Sequence, residues 1–148
     1  MFHLIFIFLM GCGNSGELSL NEVVSKSDTT SDWFELYNFG DSSILLSRWS
    51  VIDNIDEDIP WELPGVELAP GEFILIWASD GEGAEEGYHC PFKLSGDGET
   101  LYLLDSSNKV FDQVTFPDLA RDQSYGRTPD GTGEWDYQPF PTPESGNE

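Results

Sequence analysis

Residues 68–77 read LAPGEFILIW, and this stretch carries the clearest structural signal in the chain. Pro70 and Gly71 suit a type II turn, because proline presets φ at the second turn position and glycine accepts the positive φ of the third. The apolar run 73–77 that follows directly is typical of a buried strand. The stretch therefore predicts a tight turn that leads into a central strand of a β-sheet.

Short runs rich in β-branched and aromatic residues continue on both sides of this stretch, separated by Gly, Pro, Asp and Ser. Residues 105–109, DSSNK, read as the loop of a hairpin. No strand pattern alternates with a helical one, and strands at this spacing without helices predict an all-β fold, a β-sandwich. The predicted strands are 18–24, 33–38, 49–53, 65–68, 73–78, 92–94, 101–105, 110–116 and 123–127.

The composition fits one folded domain with a strongly acidic surface. The chain has 148 residues, of which 39% are hydrophobic and 14% aromatic, so it can build a core. Asp and Glu number 28 against 6 Lys and Arg, which gives a formal net charge of -22. Because such a surface repels phosphate backbones, we expect no nucleic-acid partner.

Gly11, Gly13 and Gly16 spell a G-x-G-x-x-G pattern directly after an apolar run. A phosphate-binding glycine loop needs a helix immediately after it, whose backbone N–H groups point at the anion. The residues that follow, ELSLNEVV at 17–24, alternate Leu18 and Leu20 with polar residues in a strand pattern. The sequence therefore argues against a nucleotide site.

The N-terminal run instead resembles the signal of bacterial lipoproteins. Residues 2–10 are almost wholly apolar, too short for a membrane-spanning helix but long enough for a signal peptide. The run ends Leu9-Met10-Gly11-Cys12, similar to a lipobox. The resemblance implies a signal peptide at 1–11, acylation of Cys12 and, since Gly13 is not Asp, an outer-membrane location. An acylated Cys12 cannot form a disulfide with Cys90, for which we expect a buried, inert thiol.

Several further motifs make the chain similar to the lamin tail domain family. They occur in the family's order from about residue 17 to residue 146, and the resemblance implies an immunoglobulin-like β-sandwich of the bacterial branch, found in secreted and surface proteins. We expect a linker at 12–16, the sandwich at 17–135 and a flexible Pro-rich, acidic tail at 136–148. The motifs are LNEV (20–23), DWFELYN (32–38), LSRW (46–49), LAPGEF (68–73), FKLSGDGE (92–99) and SYGRTPDGTGEW (124–135).

The five tryptophans divide into two groups by their surroundings. Trp33, Trp49 and Trp77 lie in predicted strands or beside them, and we expect them in the core. Trp61 and Trp135 lie among Pro and acidic residues, so they are candidate ligand contacts for a glycan or a peptide. The short amides of Asn21 and Asn38, at strand ends, are expected to hydrogen-bond local backbone.

The residues that could perform chemistry are few. His89 is the one histidine after the signal, and adjacent His89 and Cys90 on a strand point to opposite faces, so a Cys–His nucleophile is not expected. No zinc-ligand spacing or G-x-S-x-G motif is present. The sequence therefore predicts no cofactor and no catalytic residue.

Two acidic loops are the only calcium candidates, and both patterns are incomplete. The loop at 54–58 resembles the start of an EF-hand, but the pattern then breaks at Ile59 and Gly65. A second loop at 80–86 is acidic and glycine-rich. The candidate ligands in the two loops are Asp56, Asp58, Asp80 and Glu82.

Two classes of function remain open at this point. The first is a non-catalytic cell-envelope lipoprotein that is anchored through Cys12 and presents a lamin-tail-like sandwich to an unknown protein or glycan. The second is an accessory or catalytic domain that acts on an extracellular polymer, as a nuclease, phosphatase or glycan-associated module. The lone His89 favours the first class.

Overall fold

The computed structural model describes residues 17–56 and 59–147. Nearly every element in them is a strand, with a single 3-10 turn at Leu46–Arg48. The strands are β1 (Leu18–Val24), β2 (Asp32–Asn38), β3 (Ile44–Leu45), β4 (Ser50–Ile52), β5 (Trp61–Glu62), β6 (Glu67–Leu68), β7 (Phe73–Ala78), β8 (Tyr88–Cys90), β9 (Glu99–Leu104), β10 (Val110–Phe116), β11 (Ser124–Thr128) and β12 (Glu134–Gln138).

The strands form two main sheets and one small ribbon. The larger sheet has six strands in the order β12-β11-β1-β2-β7-β8, and the smaller has four in the order β10-β9-β4-β5. Strands β3 and β6 pair separately. The described pairs are antiparallel apart from β7 and β8, which are parallel. The prediction of an all-β sandwich is confirmed.

The core lies between the two main sheets because one face of each strand is apolar. In β7 the inward residues Ile74, Ile76 and Ala78 are buried, and they belong to the same cluster as Phe34 of β2 and Leu103 of β9. The other face of the six-stranded sheet, which we call the outer face, carries Glu22, Glu35 and Trp77 among others.

The turn and the hairpin loop predicted from the sequence are both confirmed. The Glu72 N–H donates to the Ala69 carbonyl at 3.1 Å, and Gly71 has φ +77, as the third position of a type II turn requires. In the loop before β10, Asp105 Oδ1 accepts hydrogen bonds from two backbone N–H groups of the loop. The turn sets the start of β7, which lies between β2 and β8.

The tryptophan predictions hold in two cases of three. Trp49 is 5% exposed within the core, and Trp33 is 4% exposed on the outer face. Trp77 is only half buried, and its Nε1 donates to the Glu86 carbonyl at 2.9 Å. Its expected burial is wrong: Trp77 lies on the outer face directly opposite Trp33, but it is not covered to the same extent.

Residues 92–94 do not form a strand, which corrects one prediction. Lys93 makes a single bridge to Ser79, while the strand itself lies earlier, at β8. Phe92 stacks on Phe34 with ring centroids 6.3 Å apart. Phe92 is therefore apolar because it packs against the core, and not because it belongs to a strand. The two-residue strands β3 and β5 and the whole of β12 were not predicted.

The expected flexible tail at 136–148 is wrong in its described part. Residues 136–138 complete β12, so the sandwich continues past the predicted boundary at 135. Residues 139–147, which we call the C-terminal strap, turn back over the outer face of the six-stranded sheet. Thr142, Glu144 and Asn147 of the strap donate hydrogen bonds to residues of β1, β2 and the β11–β12 turn. These donors are mostly backbone N–H groups, which composition does not reveal.

Candidate functional site

The end of the six-stranded sheet carries a group of stacked side chains that we call the aromatic edge: Tyr125 and Arg127 of β11, and Trp135 and Tyr137 of β12. The rings of Tyr125 and Trp135 are nearly parallel, with centroids 5.7 Å apart. Tyr137 meets Tyr125 edge-on at 5.5 Å. The guanidinium carbon of Arg127 lies 4.9 Å from the centre of the Trp135 ring, a cation–π distance.

The register of the two strands explains why these side chains meet. Tyr125 is opposite Tyr137, and Arg127 is opposite Trp135. Residues directly opposite one another in an antiparallel pair project to the same face, and aromatic pairs of this kind stabilise the sheet. Strands β11 and β12 thus present alternate residues as one continuous surface.

Arg127 fixes this surface to the rest of the fold. Its Nε donates to the Leu20 carbonyl at 3.0 Å, one terminal nitrogen donates to the Gly133 carbonyl at 2.9 Å, and the other contacts Asp112 Oδ1 at 2.8 Å. The other Asp112 oxygen accepts the Leu20 N–H at 3.0 Å. With every donor nitrogen engaged, the guanidinium holds Trp135 in one position.

The aromatic edge is only half covered. Tyr137 is 49% exposed, whereas Trp135 packs partly against the core. Burial is the largest cause that raises the pKa of Tyr125, followed by Tyr137 and Asp136. Strand β12 is the last strand of its sheet, so one of its edges has no strand partner among the described residues. The aromatic rings therefore lie beside the edge of β12 that has no strand partner among the described residues.

The two predicted ligand contacts lie apart. Trp61 is on β5, at the edge of the four-stranded sheet, and Trp135 is on β12, at the edge of the six-stranded sheet. Both are partly buried and pack against the core. The Nε1 of Trp135 is buried and has no hydrogen-bond partner within the described residues. Trp135 also stacks on the ring of Tyr125 and so belongs to the aromatic edge.

The calcium candidates do not come together in the part of the chain that the structure describes. No three His, Cys, Asp or Glu side chains of residues 17–56 and 59–147 are placed to hold a metal ion. Asp56 is exposed, and Asp58 lies outside the described residues. Glu82 lines an open cavity of about 400 Å³, together with Asp32, Ser79 and Lys93. Asp80, next to this cavity, has φ 60.

A serine–histidine contact at the same loop was not foreseen from the sequence. Ser79 Oγ lies 2.8 Å from His89 Nδ1, and His89 Nε2 lies 2.8 Å from the Glu85 carbonyl oxygen. A carbonyl can only accept, so Nε2 carries the ring proton and Nδ1 accepts the serine hydroxyl. Ser79 is 6% exposed, and a side chain at Gly83 would collide with the His89 ring. The contact therefore fixes the loop over the histidine.

Cys90 is buried, as predicted, and burial raises the pKa of its thiol to about 12. A thiol with this pKa stays protonated and is a poor nucleophile. Cys12 and the predicted signal lie outside the described residues. Within those residues, no helix is long and apolar enough to cross a membrane.

The two facing sheets and the apolar core between them define an immunoglobulin-like β-sandwich. Residues 13–118 match the Lamin Tail Domain family, which is most of the chain, so the protein belongs to this family. The resemblance drawn from the motifs is confirmed at the level of the family. No curated protein matches the chain in the corresponding comparison.

Proposed function

We propose that the protein is a non-catalytic interaction module of the bacterial cell envelope, anchored by a lipid on Cys12, and that the aromatic edge contacts its partner. The lipobox-like residues Leu9 to Cys12 support the anchor. The family match begins at residue 13, directly after that cysteine, and β1 begins at Leu18. A fold that starts so soon after Cys12 would lie close to the membrane surface, which we expect to be the outer membrane.

One observation carries the interaction function: half-exposed rings lie beside an unpaired strand edge. An extended segment that pairs with β12 would satisfy the free backbone groups of that edge. Tyr137 would then contact alternate side chains of the bound segment. Trp135, which packs partly against the core, would lie beneath these contacts. A glycan can stack on the rings but cannot continue the backbone ladder. The geometry therefore favours an extended protein segment.

The charge of the molecule suggests the chemistry of this segment. Glu134 and Asp136 on β12 are exposed, and the chain has a net charge of -22. Arg127, the cation at the edge, is already paired with Asp112. A partner segment with Lys or Arg at alternate positions complements this strand, and such complementarity accelerates association.

Site-specific photocrosslinking tests the surface. A benzoylphenylalanine at Tyr137, in cells that express the full chain, is expected to capture a partner segment. The matched control is the same probe at Tyr88, which is 38% exposed and lies on β8 at the opposite edge of the same sheet. Adducts at both positions, or at neither, contradict the proposed edge. An adduct that carries sugar instead of peptide would assign the surface to a glycan.

The anchor has its own test. The wild-type protein should partition with membranes and yield an N-terminal peptide with acylated Cys12. Two or more acyl chains hold a protein on a membrane almost irreversibly, so Cys12→Ala should release it. An unmodified Cys12 in a soluble wild-type protein would contradict the proposal, without affecting the test of the aromatic edge.

A second candidate function is hydrolysis of an extracellular polymer, which the Ser79–His89 hydrogen bond favours. In that reaction Ser79 Oγ would attack the ester carbon or phosphorus while its proton passes to His89 Nδ1; the histidine would return the proton to the departing oxygen as the ester bond breaks, and water would then hydrolyse the covalent intermediate. Turnover of ester or phosphodiester substrates that disappears in both Ser79→Ala and His89→Ala would establish this activity. The interaction module predicts no such turnover, because the serine is nearly buried and the histidine is enclosed by its loop.

A further inference from the structure

The C-terminal strap lies over two glutamates that are buried side by side. Glu22 of β1 and Glu35 of β2 are directly opposite each other in the sheet, and both are 0% exposed. The strap covers them: the Thr142 N–H donates to Glu22 Oε1 at 3.1 Å, and the Glu144 N–H donates to Glu35 Oε2 at 2.5 Å. Burying two like charges together is costly unless they are compensated.

Hydrogen bonds further secure the end of the strap. The Asn147 backbone N–H donates to Asp130 Oδ1 at 3.0 Å, and its side-chain amide donates to the Arg127 carbonyl at 2.9 Å. A side chain at Gly126 would collide with Asn147, so the strap rests directly on bare backbone of β11. These contacts hold the end of the strap in one position against the sheet.

No cation compensates the two glutamates within the described residues. The charged groups nearest to them are acidic: Asp130 of the β11–β12 turn acts on both, and Asp136 of β12 projects to the same face as Glu22. Strand β7, packed beside β2, contributes only apolar residues. The ion pairs that the structure describes involve other residues, and the Arg127 guanidinium binds Asp112 on the inner face. Only a proton is left to neutralise one of the two carboxyls.

The donors indicate which carboxyl keeps the proton. Glu22 accepts hydrogen bonds from the Ser124 hydroxyl and from the Thr142 hydroxyl and N–H, which suit a carboxylate. Glu35 accepts one from Glu144, and its Oε1 is buried without a partner in the described chain. An oxygen in this position is better protonated than charged. Burial raises the pKa of Glu35 to about 8; the Glu144 N–H acts against this rise, and the charge of Glu22 adds to it. Burial also raises the pKa of Glu22.

We propose that the C-terminal strap is a proton-dependent latch, which stays closed over β1 and β2 while Glu35 holds a proton and opens when that proton is lost. Loss of the proton places two adjacent anions in a dry site, and opening admits water to both. The opened face presents Glu22, Glu35 and Asp130 to solvent. This device goes beyond the proposed function and is independent of it, since the aromatic edge lies on the other face of β11 and β12.

A Glu-specific protease measures the opening, because it cleaves after Glu144, which the strap holds against Glu35. The rate for the full-length protein is divided by the rate for the free peptide FPTPESGNE, which removes the protease's own pH dependence. From about pH 6 to about pH 8 we expect this ratio to rise at least about tenfold and then to level off, since between the ordinary pKa of 4.5 and the pKa of about 8 under the closed strap each pH unit favours opening by up to tenfold. A constant ratio in the wild-type protein would overturn the proposal.

Two substitutions assign the effect to the glutamates. Glu35→Gln replaces the protonated acid with a neutral group of the same shape, so the strap should stay protected across the whole range. Glu22→Gln removes the neighbouring anion that raises the pKa of Glu35, so the opening should level off at lower pH and its total rise should be smaller than in the wild type. Glu134→Gln, at an exposed position on β12, is the matched control and should behave as the wild type. Equal opening in Glu35→Gln and wild type would contradict the latch even if the strap proves mobile.

Discussion

Arg127 shows how one side chain can connect three parts of this fold. Its hydrogen bonds reach β1 through Leu20, the β11–β12 turn through Gly133, and β10 through Asp112. The side chains of Arg127 and Asp112 are 16% and 17% exposed, so the pair is largely removed from water. Because β1 and β10 belong to different sheets, Arg127 fastens one sheet to the other at this end of the sandwich.

Replacing Arg127 should therefore destabilise the whole domain. In Arg127→Met, Asp112 becomes a largely buried charge without a cation beside it, and we expect a loss of about 3 kcal/mol in the free energy of unfolding. Urea denaturation of the variant measures this loss. The double variant Arg127→Met/Asp112→Asn should recover part of it, because Asn keeps an acceptor for the Leu20 N–H. Equal stability of the single variant and wild type would show that the network carries no net energy.

Among single residues, the sequence predicted those whose partners are local. Asn38 binds backbone near its own turn, as expected, through the Ser42 carbonyl and the Gly40 N–H. Its amide also donates to the carbonyl of Leu68, a more distant partner that was not predicted. Asn21 was also expected to bind local backbone, but its oxygen accepts the N–H of Gly131, which lies 110 positions away. A partner so distant depends on how β11 packs against β1, which no local pattern encodes.

Elements were predictable where their pattern was long enough to repeat. β1, β7 and β10 have the predicted limits, because each has at least six residues and alternates or is continuously apolar. β3 and β5 have two residues each and cannot show a period. β12 was missed because Gly, Pro and acidic residues surround it, and its pairing to β11 supplies the order that its own sequence does not indicate.

The strap gives the element-scale prediction. A chain that ends at Gln138 keeps β12 but lacks the groups that cover Glu22 and Glu35. We expect it to lose roughly 1–3 kcal/mol of stability at about pH 6, since the hydrogen bonds to the two glutamates are lost; the loss is partly offset because the deleted residues no longer have to be ordered on folding. Thermal unfolding by circular dichroism measures the change. Phe140→Ala, a change in the strap at a side chain that is 78% exposed, is the control and should have little effect.

For the whole molecule, buried acids set the pH dependence of stability. The pKa of Glu35 is about 8 in the folded protein, against an ordinary value of 4.5. Below 4.5 both states carry the proton; between 4.5 and about 8 only the folded state keeps it, so stability falls as pH rises through this window. The slope from this one group is at most about 1.4 kcal/mol per pH unit.

Melting temperatures across that window test the assignment. The wild-type protein should melt at progressively lower temperature from about pH 5 to about pH 8.5, and Glu35→Gln should show a clearly flatter curve because it has no proton to lose. Glu134→Gln is again the matched control. Parallel curves for wild type and Glu35→Gln would mean that the proton is held elsewhere.

The net charge of -22 gives the last prediction. Self-repulsion destabilises a compact state of one charge sign, and salt screens it, so the melting temperature should rise from about 0.02 M to about 0.5 M NaCl. Calcium at matched ionic strength should give the same rise and no more, since Asp56, Asp80 and Glu82 belong to no group of three ligands in the described residues. A ligand that binds only the folded state would add to the melting temperature beyond screening. An extra rise in calcium that is lost in Asp80→Asn/Glu82→Gln would therefore establish a site at the β7–β8 loop, and one lost in Asp56→Asn/Asp58→Asn would place it after β4.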